Sequence, residues 1–183
     1  MASWFGRFPA EVAAREDAYL VGPELGGLSV KVRAGAALDV KVYHGSPGLF
    51  EMSGRAFGRT ESWQKWSFPL TSGREGGGPA GWRLIRKRRR IIRFQLAGGR
   101  VVEAVRGPAT EPGCAVELTE IDIGAEAYWS LGFEATGQAE LLRGVLQDSA
   151  ALVFAQELPG QVDLSMDCCQ SYAQWLSRHP APS

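Results

Sequence analysis

Lys31, Arg33 and Lys41 stand at alternate positions in LSVKVRAGAALDVKVYHG, Leu28 to Gly45, and Lys87 and Arg89 repeat the spacing in WRLIRKRRRIIR, Trp82 to Arg93. In a strand, side chains two apart share a face, so each set points one way while Val30, Val32, Val40 and Val42 point the other. Converging cations of both kinds suit a chain of phosphates. Arginine offers a planar fork to two oxygens, and lysine a point charge. The plain alternative is a sheet with one solvated face. Grouping by strand separates the two readings. The cations lie on some strands, and Glu117 and Glu134 lie on others. Several cations lining one cavity repel by several kcal/mol in reduced dielectric. Facing glutamates relieve that repulsion and can hold Mg2+ or Mn2+ through oxygen ligands. Glu61, Glu117 and Glu134 are the metal candidates, too few for a two-metal site.

These residues need elements to position them. Strands are expected at Trp4 to Phe8, Glu16 to Val21, Leu28 to Arg33, Leu38 to Tyr43 and Phe50 to Arg59. RTESWQKWSFPL, Arg59 to Leu70, alternates Arg59, Glu61, Trp63 and Lys65 on one face if extended, and a helical reading stays open. TSGREGGGPAG, residues 71–81, reads as a flexible loop. Strands resume at Trp82 to Phe94, Arg100 to Val105, Cys114 to Ile121 and Tyr128 to Gly137. On the strand from Trp82, Lys87 and Arg89 face inward, and Arg86, Arg88 and Arg90 face outward. Leu141, Leu142, Val145, Leu146 and Leu152 then recur at helical spacing, predicting a helix near 138–153. A second helix is expected at 168–178, with Tyr172, Trp175 and Leu176 buried. The expected fold is mainly β (α+β). It is an antiparallel β-barrel or strongly curved sheet, a tunnel with a polar charged interior packed by C-terminal helices, in one domain over 1–183.

The chain has 183 residues with 20 basic and 20 acidic side chains, so whole-molecule steering to nucleic acid is poor. No run is long enough for a membrane span, and the N-terminus has no leader pattern, which predicts a cytoplasmic protein without membrane partners. Three cysteines, two of them adjacent, give no disulfide framework, and with two histidines they lack zinc spacing. No P-loop, nucleophile motif or Ser/His/Asp constellation is present.

The order of motifs resembles the CYTH family, the triphosphate tunnel proteins that include inorganic and thiamine triphosphatases and a class of adenylyl cyclases. The pieces are Asp17-Ala18-Tyr19, Lys31-Val32-Arg33, Lys41, Arg59-Thr60-Glu61, Lys87-Arg88-Arg89, Leu131-Gly132-Phe133-Glu134, and Ser171-Tyr172 with Leu176. They cover nearly the whole chain, and their shared order carries the likeness. The resemblance implies a phosphate cradle of Arg7, Lys31, Arg33, Lys41, Arg59, Lys87 and Arg89, with Mg2+ or Mn2+ on the glutamates. Ser3-Trp4-Phe5-Gly6-Arg7 replaces the family's first acidic strand and keeps only a cation. Trp63 and Thr136 stand where the family has further glutamates. The resemblance therefore implies binding of tri- or polyphosphate, or of a phosphorylated small molecule, with weak metal-dependent triphosphatase activity at best. The alternative is a non-catalytic protein that binds nucleic acid or an anionic metabolite through the arginine-rich strand 83–93, with Trp63, Trp66 and Trp82 available for stacking.

Overall fold

The computed structural model describes residues 1–8, 10–22, 25–52, 54–71, 81–104, 112–160 and 162–178. The element order is α1 (Ala2–Phe5), β1 (Glu11–Leu20), β2 (Leu28–Arg33), β3 (Ala37–Met52), β4 (Ala56–Pro69), β5 (Trp82–Ala97), β6 (Arg100–Glu103), β7 (Gly113–Ile123), β8 (Glu126–Thr136), α2 (Ala139–Phe154), a 3-10 turn (Met166–Cys168) and α3 (Tyr172–Arg178). The protein is mainly antiparallel β. Strand order is β4-β3-β2-β1-β5-β7-β8, with β6 paired to β5. Among the described residues no helix is long and apolar enough to cross a membrane.

The chain forms two compact units. The first comprises Met1–Ala14, Arg88–Ile121 and Ala127–Val162. Its core joins Trp4 and Phe5 of α1, Ile92 and Phe94 of β5, Cys114, Val116 and Leu118 of β7, and Val145 and Val153 of α2. The strand expected at Trp4 to Phe8 is instead a helical turn. The reason is packing: Trp4 and Phe5 are both buried, and neighbours in a strand would point to opposite faces. Trp4 stacks on Phe154 with ring centroids 6.5 Å apart. The amphipathic spacing after Gly137 forms α2, as expected for a helix near 138–153.

The second unit comprises Arg15–Lys87, Asp122–Glu126 and Asp163–Ser183. Within it, β2 and β3 form the expected hairpin, turning through Ala34 (φ 48°) and Gly35 (φ 67°). β3 does not stop near Tyr43. It bulges at Gly45 and Gly48, whose φ of 122° and 144° suit glycine, and runs on to Met52. Phe50 to Arg59 is therefore no single strand, because the chain turns between Met52 and Ala56. Arg59 to Leu70 is extended, and pairing of β4 with the whole length of β3 excludes the helical reading. The C-terminal helix is shorter than expected, since Met166–Cys168 forms a separate 3-10 turn before α3. Of the glycine-rich loop, 72–80 lies outside the described residues.

Candidate functional site

Cross-strand register builds the site in the second unit. It sets Asp17 opposite Arg33, Tyr19 opposite Lys31, Lys31 opposite Asp39, Asp39 opposite Ser67, and Lys41 opposite Lys65. All these residues have the same strand parity, so they share one face. Two carboxylates organise it. Asp17 has no exposed surface, and its Oδ2 receives Arg15 Nη2 at 3.1 Å, Lys31 Nζ at 3.2 Å and Lys87 Nζ at 3.9 Å. Asp39, 1% exposed, receives Arg33 Nε at 3.1 Å and Lys65 Nζ at 3.6 Å on Oδ2, while the Ser67 hydroxyl donates to Oδ1 at 2.7 Å.

A buried carboxylate is costly unless paired and hydrogen-bonded. Asp39 has partners on both oxygens, whereas Asp17 is paired and hydrogen-bonded through Oδ2 alone and its Oδ1 is buried with no hydrogen-bond partner. Burial by itself would raise the Asp39 pKa. The Ser67 hydrogen bond, with Lys65, Arg33 and Lys31, outweighs it and holds the carboxyl below its ordinary value. Lys31 moves the opposite way for a lysine held near acids. Desolvation lowers its pKa, with Arg15 nearby, and more than offsets the pull of Asp17 and Asp39. Around the two aspartates the described face carries Arg15, Lys31, Arg33, Lys41, Lys65 and Lys87.

Lys87 lies deepest, at 5% exposure. Its ammonium donates to the Tyr19 hydroxyl at 2.6 Å, which Lys31 also approaches at 3.4 Å. Tyr19 and Tyr172 stack with centroids 5.9 Å apart, and Lys87 Nζ lies 3.7 Å from the Tyr172 ring centroid and 4.6 Å from that of Tyr19. Aromatic faces hold a cation by their quadrupole and replace part of the lost hydration. Four segments remote in sequence, at 17–19, 31, 87 and 172, meet around one lysine.

The other expected residues are placed as follows. Tyr43 and Trp63 pack beside Lys41 and Lys65, with centroids 5.3 Å apart, and Trp63 Nε1 donates to Glu61 at 2.8 Å. Arg59 is exposed, and its backbone N–H donates to Cys169 Sγ at 3.2 Å. In the first unit, Arg89 grips Glu117 with two donors, Nε at 2.7 Å and Nη2, and the Thr119 hydroxyl donates to the same carboxylate. Glu134 lines a cavity of about 150 Å³ with Arg93, Cys114 and Thr136, and burial pushes the Cys114 thiol up to about 11. Arg7 donates to Gln156 at 3.1 Å on exposed surface.

Among the described residues no three His, Cys, Asp or Glu side chains gather to hold a metal. Glu61 accepts from Trp63, and Glu117 accepts from Arg89 and Thr119. Arg86 and Arg88 of the arginine run turn outward as expected, with 76% and 61% exposed side chains, whereas Arg90 is half-buried. Arg86 and Arg88 are each matched by an acid, Glu16 at 3.1 Å and Glu120 at 2.6 Å. Sequence reasoning assigned no role to Asp17, Asp39, Lys65 or Arg15. The signal for three of them was parity: Asp39 stands two before Lys41, Lys65 two after Trp63, and Arg15 two before Asp17.

No family model matches the chain, and no curated protein or solved structure matches it significantly.

Proposed function

We propose that the polar face of the second unit binds an oligophosphate or phosphorylated small molecule, with Lys31, Arg33, Lys41, Lys65 and Lys87 as its donors. One observation carries this reading. Six cations share a strand face with two buried carboxylates, so the face is completed by an anion with several charges. Asp39 holds Arg33 and Lys65 in place beforehand, and such preorganisation lowers the entropic cost of binding. Convergence of the Asp17-Tyr19, Lys31, Lys87 and Tyr172 pieces supports likeness to the triphosphate tunnel family. In this reading Arg59, on β4 of the same unit, would extend the cradle.

Phosphoryl transfer requires alignment and charge stabilisation more than covalent help. The face supplies cations, and among the described residues no three carboxylates gather to hold a metal, so binding is its first property and hydrolysis is weak at best. Mg2+ or Mn2+ in this scheme enters on the ligand's phosphate oxygens, as Mg2+ commonly does. The nucleic-acid alternative rests on exposed Arg86 and Arg88, and their pairing with Glu16 and Glu120 weakens it.

The test is thermal shift with tripolyphosphate, run beside sulfate and a short single-stranded oligonucleotide. A ligand at a hundredfold excess over Kd stabilises by about 2.7 kcal/mol. Tripolyphosphate should raise Tm far more than sulfate, and Arg33→Ala should abolish most of the rise. A rise with the oligonucleotide alone, unaffected by Arg33→Ala, moves the function to nucleic acid.

A further inference from the structure

The segment before α3 is fastened to β4 at two points. The Phe57 amide donates to the Leu164 carbonyl at 2.8 Å, and the Arg59 amide donates to Cys169 Sγ at 3.2 Å. Between them, a Cβ on Gly58 would lie 3.2 Å from that sulfur, so the thiol seats against the strand because residue 58 has no side chain. The neighbouring Cys168 turns instead to Asp163, with its Sγ 3.5 Å from Oδ2. Both thiols are free and exposed, whereas Cys114 is buried. Three residues beyond Cys169, Tyr172 covers Lys87 and Tyr19. Three residues span at most about 11 Å, so the sulfur anchor and the aromatic cover are mechanically joined.

We propose that Cys168 and Cys169 are a thiol-oxidation site: a vicinal dithiol that a low-molecular-weight disulfide of the glutathione type converts to an intramolecular disulfide, releasing the segment's sulfur anchor on the Arg59 amide of β4 and loosening Tyr172 from Lys87. The Cys168 thiolate attacks one sulfur of the small disulfide, whose S–S bond breaks and releases one small thiolate. The Cys169 thiolate then attacks Cys168 Sγ and expels the second. Two electrons pass from the protein dithiol to the reagent, and the two cysteine protons end on the two released thiols. In the product Cys169 Sγ must turn to Cys168 and can no longer accept from the Arg59 amide. Adjacent Cα atoms are about 3.8 Å apart, below the usual disulfide range of about 4.4–6.8 Å. The bond is therefore strained and easily reduced, as regulatory disulfides are. Desolvation and the hydrogen bond to Asp163 raise the Cys168 thiol above its ordinary value, so oxidation accelerates toward alkaline pH. That loosening Tyr172 alters anion binding rests on the function proposed above.

The test treats the full chain with oxidised glutathione and reads intact mass, peptide maps and hydrogen exchange. Expected are loss of two hydrogens at Cys168 and Cys169, and about tenfold faster exchange at the Arg59 amide and in α3. Both should be reversed by dithiothreitol and absent in the C168S/C169S double variant. A stable glutathione adduct without intramolecular closure would overturn the proposal, as would closure that leaves exchange at Arg59 and α3 unchanged. Tripolyphosphate affinity is measured separately on both redox forms. Binding by neither form defeats the oligophosphate reading and leaves the oxidation site to stand or fall on mass and exchange.

Discussion

Asp17→Asn removes the charge on which Arg15, Lys31 and Lys87 converge, and it does so without changing the side chain's size. Asp17 is fully buried, and the Lys87 side chain is 2% exposed, so water cannot replace the lost partner. Removing one member of a buried ion pair costs about 3–5 kcal/mol. For a chain of this length each kcal/mol lowers Tm by roughly 2–4 °C, which gives a fall of about 6–20 °C. The same substitution removes a negative charge from the face proposed to meet phosphate. At about 6 Å and an effective dielectric of 20, that charge opposes the ligand by about 3 kcal/mol. Asp17→Asn should therefore bind tripolyphosphate roughly a hundredfold more tightly and recover most of its lost Tm when ligand is added. Thermal melts with and without tripolyphosphate, with Kd from calorimetry, read both effects. A Tm change below about 2 °C together with unchanged or weaker affinity would refute the reasoning.

Lys31 has a lowered pKa in the folded state, so its charged form is disfavoured there. Stability from this group rises as pH climbs from the folded value to the ordinary lysine value. A bound polyanion favours the charged form, and calorimetry across a pH series below the ordinary lysine value, in buffers of different ionisation enthalpy, should show proton uptake that Lys31→Met removes; equal heats across buffers would contradict it. Asp39 is depressed, so its contribution is complete above the ordinary carboxylate value and is lost as pH falls through the folded value. Asp39→Asn should flatten that part of the acid limb in a pH series of urea melts, and an unchanged limb would count against the pairing described. Gly137 has φ 133°, and a Cβ there would lie 2.7 Å from Pro112 Cβ and 2.9 Å from its Cα. Gly137→Ala should lower stability by about 1–3 kcal/mol in urea titration, and an unchanged midpoint would contradict the close approach.

The shared face of Lys31, Arg33, Lys41 and Lys87 was legible because strand parity is local: Val30, Val32 and Val40 tell which way each neighbour points. Partnership was not legible. Register between β1, β2 and β3 is fixed by non-local pairing, so nothing in the sequence sets Asp17 beside Lys31 or Asp39 beside Lys65. The same gap explains why glutamates were sought as counter-charges when two aspartates fill the role. Trp4 and Phe5 read as strand residues because aromatics favour strands, and tertiary burial of both side chains overrode that preference. The continuation of β3 past GSPG was hidden by residues that ordinarily end strands, and here they make bulges. Tyr172 was legible as a helix residue but is half-buried, like Trp175, with Leu176 alone of the expected stripe buried, and its position over Lys87 depends on how the C-terminal segment docks on β4.

Titration calorimetry of tripolyphosphate into wild type, Arg33→Ala, Lys65→Ala and Arg88→Ala at physiological salt tests the central claim most directly. Arg33 and Lys65 both reach Asp39, and each is about two-fifths exposed, so their loss should leave the fold intact. Arg88 pairs with Glu120 in the first unit. The account predicts one binding site, weakened about tenfold or more by Arg33→Ala and by Lys65→Ala and unaltered by Arg88→Ala. Absence of binding by wild type, or an equal loss with Arg88→Ala, would contradict it.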